Sequence, residues 1–89
     1  MAIPQQLEQR LENAIHSGVP KATIQLEVVN RRISGIVVAP EFDGATHLDR
    51  QRNVWREIRS QLGADSGEVG MLLLYSPEEA DALDDTETD

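Results

Sequence analysis

The sequence predicts an α+β domain, a three-stranded mixed sheet with helices on one face in the element order αββαβα. Three observations carry this. Residues 4–17 and 48–62 hold apolar side chains at helical spacing, the stretch after Ala22 changes to a period of two, and the second helical segment lies between two apolar, strand-like runs. A strand, a crossover helix and another strand make a βαβ unit, so those two strands are expected to run parallel with a right-handed crossover.

The first helix is expected from about Pro4 to Ser17. Leu7, Leu11, Ala14 and Ile15 fall in one arc at about 100° per residue, whereas Glu8, Gln9, Glu12, Asn13 and His16 fall outside it. Pro4 suits the first turn, Gly18 is expected to close the last turn in a left-handed conformation, and Pro20 prevents continuation. His16, near the C-terminus, is expected to favour the helix dipole.

Ile24, Leu26 and Val28 alternate with Thr23, Gln25 and Glu27, the pattern of a strand with one buried face. Ile33 to Ala39 is richer in apolar residues and is expected to be the central strand, with Thr23 to Val29 at an edge. Asn30 and Arg31 lie between the runs, and Asn accepts the positive φ of a tight hairpin, so these two strands should pair antiparallel.

Ala39 to Thr46 reads as a loop that folds back to bury Phe42, the one phenylalanine. In the next helix, from about Leu48 to Leu62, Val54, Trp55, Ile58 and Leu62 share a side while Arg52, Arg56 and Arg59 form a stripe opposite. Asp49 is expected to cap its unpaired amides, and Gly63 to end it. Val69 to Tyr75 reads as a third, heavily buried strand. Ser76 is the natural N-cap of a short last helix ending near Leu83, with Glu78 and Glu79 in its first turn.

Eighty-nine residues allow one modest core, which excludes a two-domain enzyme built around an interdomain cleft. The absence of cysteine removes disulfides, a thiolate nucleophile and any sulfur-ligated metal site supplied by this chain. No apolar run reaches the ~18 residues of a membrane-spanning helix, and the first residues lack a signal-peptide pattern, so the expectation is a cytoplasmic protein with no membrane association. The net charge of -8 is unevenly placed: residues 78–89 hold seven acids and no base, against eight Lys/Arg and nine Asp/Glu elsewhere. A domain over residues 1–83 followed by an acidic disordered tail over 84–89, serving solubility, is therefore expected.

The segment from Val37 to Trp55 resembles the signature stretch of the BolA-like family. In that family a valine-rich strand leads to a loop with Phe-x-Gly, then to a helix opening with Arg-His-Arg followed by Val and an aromatic residue. Phe42 and Gly44 match the first pair; Arg50, Arg52, Val54 and Trp55 match the second group. The similarity of element order spans roughly residues 4–83. It implies a fold like type II KH domains and no enzymatic activity. It also implies pairing with monothiol glutaredoxins through a shared iron-sulfur cluster and, in bacteria, a link to transcriptional regulation. The cluster role in the family depends on the histidine of Arg-His-Arg and on a His or Cys in the loop joining the first two strands. Here Gln51 takes the histidine position and the Asn30-Arg31 hairpin has neither residue. An amide is a poor iron ligand, so no cofactor is expected and cluster ligation is expected to be lost or altered.

The expected function is a non-enzymatic module that binds a protein, a monothiol glutaredoxin or another iron or redox protein. The residues expected at the partner surface are Phe42, Asp43, Gly44, Arg50, Gln51 and Arg52. The alternative is a small nucleic-acid-binding regulator gripping phosphates with Arg31, Arg32, Arg52, Arg56 and Arg59, joined by Arg50. Against it stand the near-neutral core, the scarcity of aromatic rings, which are expected to be buried, and the lack of a Gly-x-x-Gly loop between helices. His47, with Glu41, Asp43 and Asp49 nearby in sequence, is the one weak metal candidate; a closed site ordinarily needs three or four converging ligands. An enzyme would require a pocket lined by His47 and Asp43.

Overall fold

The computed structural model describes residues 5–87. The elements are α1 (Gln5–Gly18), β1 (Thr23–Val29), β2 (Arg32–Val38), α2 (His47–Leu62), β3 (Val69–Tyr75) and α3 (Pro77–Glu87), with short 3-10 turns at Pro40–Phe42 and Gly63–Glu68. The sheet has the order β1-β2-β3, with β1 antiparallel and β3 parallel to the central β2. This is the αββαβα order expected of the chain. Pro4 and the last two residues lie outside the described region. No helix among the described residues is long and apolar enough to cross a membrane.

Period-two patterning gives β1 and β2 a buried face on which Ile33, Val37 and the partly buried Ile24 and Leu26 meet α1 and α2. The arc of α1, Leu7, Leu11, Ala14 and Ile15, is buried in full, as are Val54, Ile58 and Leu62 of α2. Arg10 of α1 fastens the far end of this layer, pairing with Asp65 at 2.8 Å and donating to the Gln61 carbonyl at 3.3 Å. Asn30 (φ 53°) and Arg31 (φ 66°) turn the hairpin, both left-handed as a two-residue type I′ connection requires. Gly35 is required by close approach: a Cβ there would run into the Gln25 carbonyl oxygen and come within 2.7 Å of Leu26 Cδ2.

Several expectations change. Gly18 keeps a negative φ; the chain leaves α1 through Val19, whose amide still donates to Ile15 O at 2.8 Å. Its lack of a side chain matters for packing instead, because a Cβ would sit 3.0 Å from Glu57 Cγ. The cap of α2 is Thr46, in extended conformation, whose Oγ1 accepts from Asp49 N at 3.1 Å; Asp49 is the third residue of the helix rather than its cap. His16 keeps its expected place in the last turn of α1 and in addition donates from Nε2 to Ala22 O at 3.0 Å, a bond across the turn that follows the helix.

Strand β3 is buried on one face only. A register shift between Ile33/Gly35 and Val69/Leu72 puts an extra residue into β3, with Met71 N donating to Ser34 Oγ at 3.3 Å. The shift moves burial from Val69 to Leu72 and Leu74 and turns Met71 and Leu73 to the open face. Helix α3 continues to Glu87 rather than closing near Leu83, since no Gly or Pro follows to stop it. Residues 84–87 of the expected tail therefore have helical backbone, and 88–89 lie outside the described region. While α1 and α2 cover one face of the sheet, Ala80 and Leu83 of α3 meet the end of the other, beside Ile36, Val38 and Tyr75.

Candidate partner-binding site

The loop after β2 enters a 3-10 turn at Pro40, which buries Phe42 as its sequence isolation suggested. Asp43 N donates to Pro40 O at 3.1 Å, and Gly44 takes a φ of 79°, which aims the chain into α2. Asp43 and Gly44 are exposed at this corner, whereas Phe42 supports it from inside.

Arg50 is the main correction to the expected site. Its residue surface is only 4% exposed, because positions 50, 54, 58 and 62 make one helical stripe that faces the core. Nε donates to Ala45 O (3.0 Å), Nη1 to Leu74 O (3.1 Å) and Glu79 Oε1 (2.6 Å), and Nη2 to Glu79 Oε2 (3.4 Å). The guanidinium carbon lies 5.7 Å from the centre of the Phe42 ring. One buried side chain thus joins the loop, α2, the outer edge of β3 and α3. It has no surface to offer a partner.

Glu79 completes this node. Its Oε1 accepts from Ser76 N at 2.8 Å while its own amide donates to Ser76 Oγ at 3.3 Å, a reciprocal capping box at the start of α3. The Arg50 hydrogen bonds, seconded by the Ser76 amide, hold the Glu79 carboxyl down at about 2 from an ordinary 4.5. Sequence patterning assigned Ser76 as the cap. The reach of Glu79 to Arg50, 29 residues away, had no local signal.

Gln51 is also engaged. Nε2 donates to Leu72 O at 2.9 Å and Oε1 accepts from Trp55 Nε1 at 3.0 Å. Leu72 and Leu74 are alternate residues of β3, whose Tyr75 carbonyl accepts from Ala39 on the β2 side, so their carbonyls lie along the free edge. Arg50 and Gln51 occupy those acceptors, which guards an edge otherwise open to strand pairing. The iron-sulfur cluster implied by the family resemblance finds no matching donors here. Position 51 holds an amide with both ends bonded, and the hairpin holds Asn30 and Arg31. Among the described residues no three His, Cys, Asp or Glu side chains converge.

The outward side of α2 differs. Arg52, Arg56 and Arg59 are exposed and, among the described residues, pair with no acid. Arg31 and Arg32 do not join them: Arg31 is at the hairpin tip, and Arg32 lies on the sheet face opposite Ile33, away from α2. His47, Asp43 and Asp49 are all exposed, so the enclosed site that an enzyme would require is not formed by them. Trp55 and Tyr75 are half-buried and Phe42 is buried, leaving no fully exposed ring as a stacking platform.

The arrangement defines a class: a small α+β domain with one covered sheet face, whose loop and long helix present a turn and an unpaired basic stripe. Comparison with solved structures narrows it. A bolA protein homologue from Coxiella burnetii matches with a TM-score of 0.58 and 24% identity, over 91% of this chain and 99% of that one. BolA1 from Arabidopsis thaliana matches at 0.64 and 16% identity, over 86% and 98%. The BolA domain of SufE1 from Arabidopsis thaliana matches at 0.65 and 16%, over 88% and 99%. The chain has the BolA-like fold. No protein-family model and no curated protein matches the sequence.

Proposed function

We propose that this chain is a non-catalytic BolA-family module that binds a protein, a monothiol glutaredoxin or another iron- or redox-handling protein, and brings no cluster ligand of its own. The observation that carries the reading is the pair of opposed faces of α2. Inward, Arg50 and Gln51 fix the helix to β3; outward, Arg52, Arg56 and Arg59 stand exposed along the helix, as do Asp43 and Gly44 in the loop that leads into it. A rigid helix with unpaired guanidinium groups suits recognition of an acidic protein surface, since complementary charge speeds encounter and sets register. The same stripe supports a second reading, nucleic-acid contact, reduced to the three arginines of α2 because Arg31 and Arg32 lie elsewhere.

A pull-down from native lysate with and without nuclease separates the two. Capture of a protein that survives nuclease and disappears with Arg52→Glu plus Arg56→Glu supports the first. Capture abolished by nuclease overturns it in favour of nucleic acid.

A further inference from the structure

The open face of the sheet departs from the polar surface that a sheet covered on one side usually presents. On β1 it carries Thr23, Gln25, Glu27 and Val29 and, near the hairpin, Arg32 and Ser34 of β2, but over the rest of β2 and on β3 it carries Ile36, Val38, Met71, Leu73 and Tyr75. Met71 is 65% exposed, Leu73 40% and Ile36 37%. At the end of these strands Ala80 and Leu83 form a wall over a floor of Gln25, Ile36, Val38 and Tyr75, enclosing a depression of about 280 Å³. That is at or below the lower end of pockets for small organic ligands, roughly 300–1,000 Å³, and suits one or two inserted side chains.

We propose that this groove docks a cationic amphipathic segment of a partner protein, its apolar side chains on Ile36, Val38 and Leu73 and its Lys or Arg side chains toward α3. Charge complementarity selects this occupant. By sequence α3 carries six acids and no base, and among its acids with described side chains, Glu78, Glu79 and Asp81, Glu79 alone forms an ion pair. Glu27 adds a carboxylate from the β1 side, and the base on this strand face, Arg32, lies at the hairpin end beside Gly70. The exposed arginines of α2, Arg52, Arg56 and Arg59, form no ion pair with Glu78 or Asp81 of α3. A second copy using the same face would bring a second acidic helix into the interface, a repulsive pairing. This surface is distinct from the turn and stripe at α2, and the inference stands independently of what binds there.

The test is an NMR titration of the labelled full chain with a synthetic Leu/Lys amphipathic peptide of about 18 residues, long enough to hold a helix. A scrambled peptide of the same composition and a Leu/Glu peptide of the same pattern serve as controls. Shifts are expected at Ile36, Val38, Leu73, Tyr75 and Ala80 with the Leu/Lys peptide only. Affinity should fall at least about tenfold in Ile36→Ser plus Leu73→Ser, whose α3 charge is unchanged and whose fold is checked by thermal melting. Equal binding by the scrambled peptide, shifts confined to α3, or unaltered affinity in the double variant overturns the proposal. So does concentration-dependent self-association that the same double variant removes, since the occupant is then a second copy.

Discussion

Replacing Arg50 with methionine keeps the length and apolar stem of the side chain and removes the guanidinium from the node beneath α2. Two backbone acceptors lose their donors, Ala45 O at 3.0 Å and Leu74 O at 3.1 Å, the latter in a buried bond. Leaving a buried acceptor unpaired costs roughly 1–3 kcal/mol, and the contact with the Phe42 ring adds about 0.5–1 kcal/mol. The Glu79 carboxylate, with its side chain 39% exposed, regains water and adds little. The expected loss is about 3 kcal/mol, a fall in Tm of about 15 °C for a domain of this size. Urea and thermal unfolding followed by circular dichroism measure it, with Arg52→Met as the comparison, expected within about 0.5 kcal/mol of the parent. A loss below about 1 kcal/mol for Arg50→Met would refute the assignment of Arg50 as the structural centre of the loop, helix and strand edge.

Three further outcomes follow from the same geometry. Because the folded-state value of Glu79 is depressed to about 2 from 4.5, its contribution to stability is complete above about pH 4.5 and is lost as pH falls through 2. Unfolding curves between pH 5 and 2 should show this loss, and Glu79→Gln should flatten that part of the profile. Arg31 holds a φ of 66°, which costs a residue with a Cβ about 1–2 kcal/mol, so Arg31→Gly should stabilise by about 0.5–1 kcal/mol once the entropy of glycine is deducted, as read from urea midpoints. Gly35→Ala should destabilise by about 2 kcal/mol or more by driving β1 from β2, which protection of the hairpin amides from hydrogen exchange would register.

Periodicity made most of the fold legible. Alternation fixed which residues of β1 face the core, Asn30 marked the hairpin, Gly63 marked the end of α2, and the intervening helix required parallel pairing of β2 and β3. The inward turn of Arg50 was present as spacing, four residues ahead of Val54 and eight ahead of Ile58, but residue type argued for a surface position. A buried guanidinium is stable only with its partners, and those are Leu74 O, Ala45 O and Glu79, supplied by β3, the loop and α3. Likewise Gln51 and Trp55 are four apart on a helix, yet the amide's second bond, to Leu72 O, depends on the lateral placement of α2 against the sheet edge. The extra residue in β3 changes which side chains face outward, and alternation read along an apolar run cannot register such a shift.

The proposal that this chain binds a partner without supplying a cluster ligand is tested most directly by anaerobic cluster reconstitution on a monothiol glutaredoxin, with and without the full chain. The expected result is co-elution of the two proteins with a visible spectrum unchanged by the chain, and loss of co-elution in the Arg52→Glu, Arg56→Glu variant. A spectrum altered by the wild-type chain would contradict it, and two proteins that elute apart would contradict the glutaredoxin as the partner.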